Sequence, residues 1–281
     1  MAIGLLLAGC VSIPELHATA GHYSDSGDID TECSTAGSIL PDAIPGAVLQ
    51  VDALNSRNFR VLNWNSYKGS DAIWQEDLER LSSMSDLVVL QEGYLTDDLQ
   101  TLLNKKQYSW DIARAFSYRD IYTGVLTGSR VRPDFLCSFR VPEPLARLPK
   151  SVLITRYPLS GTHESLVIAN IHMINFSLGL ADYRAQLEKA AEIISQHRGP
   201  LIISGDFNSW NTARKRVLAN ITRELGAREV VFDTDRRATF LGQHLDHIFY
   251  RKLEVLEALT EEVTTSDHNP MLVTFRLADD A

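Results

Sequence analysis

The sequence has few cysteines, no basic excess, no long apolar run past its start and no internal repeat, and each absence removes a class of protein. Three cysteines, with no CxxC pair and no Cys/His cluster, leave no structural zinc site. Lysine and arginine number 27 against 36 acidic residues, a formal net charge of -9, which disfavours broad electrostatic adhesion to nucleic acid. A phosphate substrate remains compatible, because acidic metal ligands add to the negative total while building the place where a phosphate binds. No later run nears the roughly 20 apolar residues that cross a bilayer. What is present, 44% hydrophobic and 22% charged residues over 281 positions, suits one ordinary globular domain with a sizeable core.

The first ten residues, MAIGLLLAGC, form a short apolar run ending in LAGC, which resembles the lipobox where bacterial lipoproteins are cut and lipidated. Cys10 would then attach the chain to a membrane, facing the periplasm from the bacterial cell envelope. The run is shorter than a usual signal core and has no positively charged start, so an apolar terminus on a cytoplasmic chain stays open. Residues 11–58, rich in Gly, Ser, Asp, Thr and Pro without periodicity, are expected to form an irregular arm or linker, with the regular domain over 59–278. Cys33 and Cys137 read as free, and one disulfide is the alternative in an oxidising compartment.

From Phe59 onward, short Val/Ile/Leu runs alternate with amphipathic stretches. FRVLNWN, DLVVLQE, SVLITRYPL, SLVIANIHMIN, PLIISGDFN, LDHIFYRKLEVLEALTEE and HNPMLVTFRL read as buried strands, and Ala72 to Ser83, Ala181 to His197 and Asn211 to Leu225 as helices. The class is α/β or α+β, with sheets inside and helices outside.

Polar residues fall at the ends of these apolar runs. Asn63 and Asn65 close the first, Gln91 and Glu92 the second, and Asp206 and Asn208 close PLIISGDFN. Asn170 and His172 interrupt another run, Asp246 and His247 stand in an apolar stretch, and Asp267 and His268 precede the last strand. Carboxylates and imidazoles there are costly unless they bind one another, a metal or a ligand, so their recurrence points to one convergent site. Taken singly, each has a local explanation as a turn or cap.

In order, the stretches NWNSYKG, LVVLQE, NIHMIN, SGDFNSW, LDHIFY and TSDHNPMLV resemble the endonuclease/exonuclease/phosphatase superfamily, within a poorly characterised bacterial branch. That superfamily includes type I deoxyribonucleases, abasic-site endonucleases, inositol-polyphosphate 5-phosphatases and neutral sphingomyelinases. The resemblance implies a four-layered α/β/β/α sandwich of two mixed β-sheets flanked by helices. It also implies a metal-dependent hydrolase of phosphate esters. Asn65 and Glu92, with Asp267 nearby, would hold Mg²⁺, or Mn²⁺, which suit oxygen ligands. His268 would act as base or transition-state partner, oriented by Asp246. Asp206 would orient water, Asn208 would bond phosphate oxygens, and His172 would contact the phosphate or protonate the leaving group.

His247 is expected to be structural, since it points away from its neighbour on a strand. His163, His197 and His244 are expected at the surface or in loops. Lys68 is either a phosphate contact or a solvated charge. Arg130, Arg132, Arg140, Arg147, Lys150 and Arg156 either line a phosphate-facing rim or are solvated. A monomer is expected, acting on a phosphodiester, with nucleic acid, a lipid or a small molecule as the substrate. A catalytically silent binding protein is the contrasting reading.

Overall fold

The computed structural model describes residues 11–22, 25–29, 31–33, 52–71 and 73–279. In chain order its strands begin with β1 (Val11–Ser12), β2 (Ala18–His22), β3 (Asp25–Ile29), β4 (Phe59–Asn65), β5 (Leu87–Tyr94), β6 (Ser109–Tyr118), β7 (Ile121–Ser129), β8 (Phe135–Pro142) and β9 (Pro149–Pro158). They continue with β10 (Ser165–His172), β11 (Leu201–Asp206), β12 (Arg228–Glu229), β13 (Thr239–Phe240), β14 (Gln243–His244), β15 (Asp246–Arg251), β16 (Leu253–Thr260) and β17 (Met271–Leu277). The helices are α1 (Trp74–Ser83), α2 (Asp97–Lys105), α3 (Ala181–Ile194) and α4 (Thr212–Glu224).

One sheet runs β16-β17-β4-β5-β7-β6-β2-β3, with β1 also on β6; the other runs β12-β15-β11-β10-β9-β8. Both are mixed, because β4 pairs parallel with β5 and β10 with β11 while their other neighbours are antiparallel. The near-continuous apolar strands are explained by burial on both faces. In β4, Val61 faces the second sheet, in a core with Ile168, Ile202 and Ile248. Its neighbour Leu62 faces outward, beneath Leu78 and Leu81 of α1 and Leu99 of α2. On the far side, Val167, Ile171 and Ile203 pack under Leu187 of α3 and Val217 and Ile221 of α4. The result is the four-layered α/β/β/α sandwich. Two helix starts are fixed locally: Thr96 accepts from the Leu99 amide and Asn211 from the Arg214 amide, each satisfying a first-turn donor.

Three features depart from the sequence reading. The stretch 11–58 was expected to be irregular, yet β2 pairs along β6 from Ala18↔Ala113 to His22↔Ser109 and so extends the first sheet. Periodicity is weak there because the strand is short and rich in Ala and Gly. Cys33 and Cys137, read as free, form a disulfide. The parallel bridge Glu32↔Ser138 brings them together, a pairing 104 residues apart that spacing does not reveal. Strands β6, β7 and β8 and helix α2 also carried no clear signal; charged Asp111 and Arg114 break the apolar run of β6, and Arg140 that of β8. The lipobox-like Cys10 lies outside the described residues.

Candidate active site

The strand ends converge by register. His172, Asp206 and Asp246 stand side by side across β10, β11 and β15, and on the facing sheet Asn65 lies beside Gln91. Close approach of β10 and β11 requires Gly205, at φ 151°, because a Cβ there would sit 1.9 Å from the Ile171 carbonyl oxygen. A bulge between Leu90 and Gly93 turns Glu92 into the left-handed region, at φ 53°, and Asn208 after β11 has φ 46°. Such conformations cost on the order of 1–3 kcal/mol each and concentrate at functional sites.

A cleft of about 540 Å³ opens between these ends, lined by Asn65, Glu92, His172, Asp206, Asn208, Asp267 and His268. Asp246 lies behind His268, its Oδ2 2.6 Å from Nδ1, and both side chains are buried. The His268 carbonyl accepts from Trp64 Nε1, and its amide donates to Ser266, whose hydroxyl donates to the Asn65 carbonyl. The imidazole is therefore fixed at both ends. Burial disfavours its charged form, but the carboxylates of Asp246, Asp206 and Asp267 outweigh that and push its pKa up to about 10.

Asp206 accepts from Asn65 Nδ2 at 3.1 Å and from the Asn208 amide at 2.9 Å. Burial would raise its pKa, yet the hydrogen bond from His172 and the charge of His268 hold it well below the usual carboxylate range. His172 Nε2 stands 3.3 Å from Asp206 and 2.8 Å from Lys150 Nζ, so it can donate to the first or accept from the second. Gln186 of α3 steadies this strand end, donating to the His172 carbonyl and accepting from the Ile174 amide. Glu92 is bonded by Lys68, with Lys150 3.8 Å away; burial opposes its ionisation, but His172, Lys150 and Lys68 together lower its pKa.

All eight expected site residues thus gather in or directly behind one cleft, whereas Asn63, Gln91 and Asn170 do not reach it. Gln91 Nε2 donates to both Asn63 and Asn170, and Ser204 donates to Asn63, a polar bridge buried between the sheets. His247 is buried against Ser209 and Glu229. His197 was expected at the surface or in a loop; it lies in the loop that turns into β11, fully buried beside the Pro200 carbonyl. Lys68 is exposed but not free, its ammonium paired with Glu92. The basic rim does not form: Arg130 and Arg140 bond backbone carbonyls, Arg156 pairs with Asp134, and only Lys150 reaches the cleft.

Other residues became visible only in three dimensions. Arg214, 1% exposed, donates to the carbonyls of Ile174, Asn175 and Asn208 and to Ser177, clamping the loops after β10 and β11. Glu143 accepts from the Asn175 and Phe176 amides. In the sequence both look like solvated charges. Tyr67, Phe176, Trp210 and Phe240 give the cleft an aromatic rim; Tyr67 lay inside the NWNSYKG motif and Trp210 inside SGDFNSW, but neither was singled out.

Two groups of donors could hold a cation. The oxygen set is Asn65, Glu92 and Asp267, on the cleft wall where two ammonium groups already gather about Glu92. The second is Asp206, Asp246 and His268, with ligand atoms within 4.8 Å of one another. It would consume the Asp246–His268 hydrogen bond, and a hard cation prefers the all-oxygen set.

Residues 55–268 match a model of the endonuclease/exonuclease/phosphatase family. A UPF0294 protein of Vibrio parahaemolyticus is 39% identical over 220 residues, 78% of each chain. Among solved structures, an endonuclease/exonuclease/phosphatase protein from Beutenbergia cavernae superposes with a TM-score of 0.60 at 16% identity, over 79% of this chain and 72% of its own. The catalytic domain of human Nocturnin, with sulfate bound, gives 0.59 at 19% identity, over 80% and 96%.

Proposed function

The chain belongs to the endonuclease/exonuclease/phosphatase family, and we propose that it is a divalent-metal-dependent phosphodiesterase that breaks a P–O bond with water. The observation that carries this reading is the buried 2.6 Å His268–Asp246 pair, which opens on the same cleft as Asp206 and Glu92.

Asn65, Glu92 and Asp267 would hold Mg²⁺ or Mn²⁺, and their oxygen donors fit such an ion, which would take the place beside Glu92 that the Lys68 ammonium holds. When bound, the ion neutralises phosphate charge and stabilises the leaving oxygen. Asp206, anchored by Asn65 and the Asn208 amide, orients the attacking water. His268 faces the phosphate with Asp246 fixing its ring, so charge building on a non-bridging oxygen meets a preorganised partner. The Asn208 side chain spends one N–H on the Met173 carbonyl and has a second for the phosphate. His172, between Lys150 and Asp206, supplies the proton that the leaving oxygen takes.

The rim favours a diester with an apolar part over a polynucleotide. Phe176 is 56% and Phe240 55% exposed beside the cleft, and the basic tract expected along a nucleic-acid path is missing among the described residues. The disulfide supports an oxidising, extracytoplasmic compartment. No helix among the described residues is long and apolar enough to cross a membrane, so Cys10 is the residue through which a lipid would attach the chain.

The test is hydrolysis of plasmid DNA, RNA, bis-p-nitrophenyl phosphate and sphingomyelin with Mg²⁺, Mn²⁺ or EDTA, with His268→Ala as control. Metal-dependent cleavage lost in that variant is expected. Cleavage that survives both EDTA and the substitution would end the proposal.

A further inference from the structure

Glu92, Lys150 and His172 line not only the cleft but also a neighbouring recess of about 120 Å³, together with Lys68, Phe116, Thr123, Gly124, Glu143 and Leu148. Its floor is built by two adjacent β-bulges. The register shifts between Leu90 and Gly93 in β5 and between Arg114 and Phe116 in β6, and both strands meet β7 at the same residue, Gly124. Only glycine fits there, because a Cβ would lie 1.8 Å from the Ala113 carbonyl oxygen. Bulges bend a strand and re-aim its side chains. Here one turns Glu92 to the cleft, and the other leaves Phe116 half-exposed at the recess.

We infer that this recess is the subsite for the second ester substituent of a phosphodiester. The inference rests on the proposed function. Because these side chains line both spaces, a phosphate bound beside Lys150 and His172 can turn one ester oxygen toward the aromatic-rimmed cleft and the other toward the recess. The two spaces are unequal. The cleft offers about 540 Å³ and the recess about 120 Å³. The substrate class is therefore an asymmetric diester, with a large apolar or aromatic group on the cleft side and a smaller alcohol on the other.

The experiment compares kcat/KM for p-nitrophenyl methyl phosphate and p-nitrophenyl cyclohexylmethyl phosphate, with Mg²⁺, in the full chain. A pocket that is one or more methylenes too small discriminates by about tenfold or more. The wild type is expected to prefer the methyl ester at least tenfold. Leu148→Ala and Phe116→Ala, both at half-exposed positions, should each cut that preference at least threefold, whereas Phe240→Ala on the opposite rim should change both esters together. Turnover without size preference, or a preference unmoved by both recess substitutions, would overturn the subsite and leave the phosphodiesterase reading standing. Failure of the protein to hydrolyse either ester with Mg²⁺ or Mn²⁺ would remove both.

Discussion

Removing the Cys33–Cys137 disulfide should destabilise the protein by a calculable amount. The bond spans 104 residues, and the chain-entropy relation for a loop of that length gives about 16 cal/mol/K, or about 4.8 kcal/mol at 25 °C. Among the described residues, the Cys33 amide donates to the Ser138 carbonyl at 2.9 Å, and the Ser138 amide donates to Thr31 at 2.7 Å. At roughly 2.1 cal/mol/K of unfolding entropy per residue over 281 residues, the loss corresponds to a fall in Tm of roughly 8 °C. Thermal and guanidinium unfolding of wild type and the Cys33→Ser/Cys137→Ser double variant, without reductant, measure it directly. Thiol titration of the unfolded chain should rise by two on reduction. A double variant within about 1 kcal/mol of wild type, or no such rise in thiols, would refute the reasoning. No residue before Asn65 lines the cleft among those described, so hydrolysis at 25 °C should persist in the folded variant.

Asp246→Asn should lower kcat by about 10²–10⁴-fold, the usual range for a group that orients a catalytic imidazole, and should lower Tm as well, since the buried His268 loses the carboxylate that offsets its burial. Arg214→Met removes four hydrogen bonds at once and leaves buried carbonyls unpaired; we expect a Tm loss together with a rise in KM as the loops bearing Asn208 and Phe176 loosen, and an unchanged KM would remove Arg214 from the positioning of the site. Asp111 is buried with Oδ2 unpartnered, and burial pushes its pKa up to about 7, opposed by the charge of Arg132. The unfolded chain therefore releases this proton first, and stability falls as pH rises from about 4 to about 7 and then levels. Asp111→Asn should abolish that fall and stabilise the protein at pH 8 by up to about 4 kcal/mol; equal unfolding midpoints at pH 8 would contradict it.

Much of this architecture was legible in the chain. FRVLNWN and SLVIANIH are apolar on both faces, and that pattern survives whatever their neighbours are. Asn211, read as the start of a helix, caps it with chemistry that is local. The site was legible for a related reason: Asp206, Asp246 and His172 are expensive at buried strand ends, so their presence there demanded partners. The same reasoning over-reached at Asn63, Gln91 and Asn170, because a buried amide can be satisfied by another amide as well as by a ligand, and sequence cannot separate the two. Arg214 and Glu143 were missed because a clamp is defined by the loops it joins. Phe176 and Phe240 acquire meaning only from what they face, and the recess only from two bulges that happen to meet at Gly124.

The most direct test of the central claim is the rate of hydrolysis of the diester cut fastest, followed against free Mg²⁺ in wild type, Glu92→Gln and His268→Asn. The wild-type rate should saturate with Mg²⁺ and vanish in EDTA. Glu92→Gln should raise the half-saturating Mg²⁺ concentration by about tenfold or more, the order seen when metal-site residues are changed. His268→Asn should lower the plateau by about 10²–10⁴-fold with the half-saturation point unmoved. A rate indifferent to Mg²⁺, or folded variants that match wild type, would contradict the account.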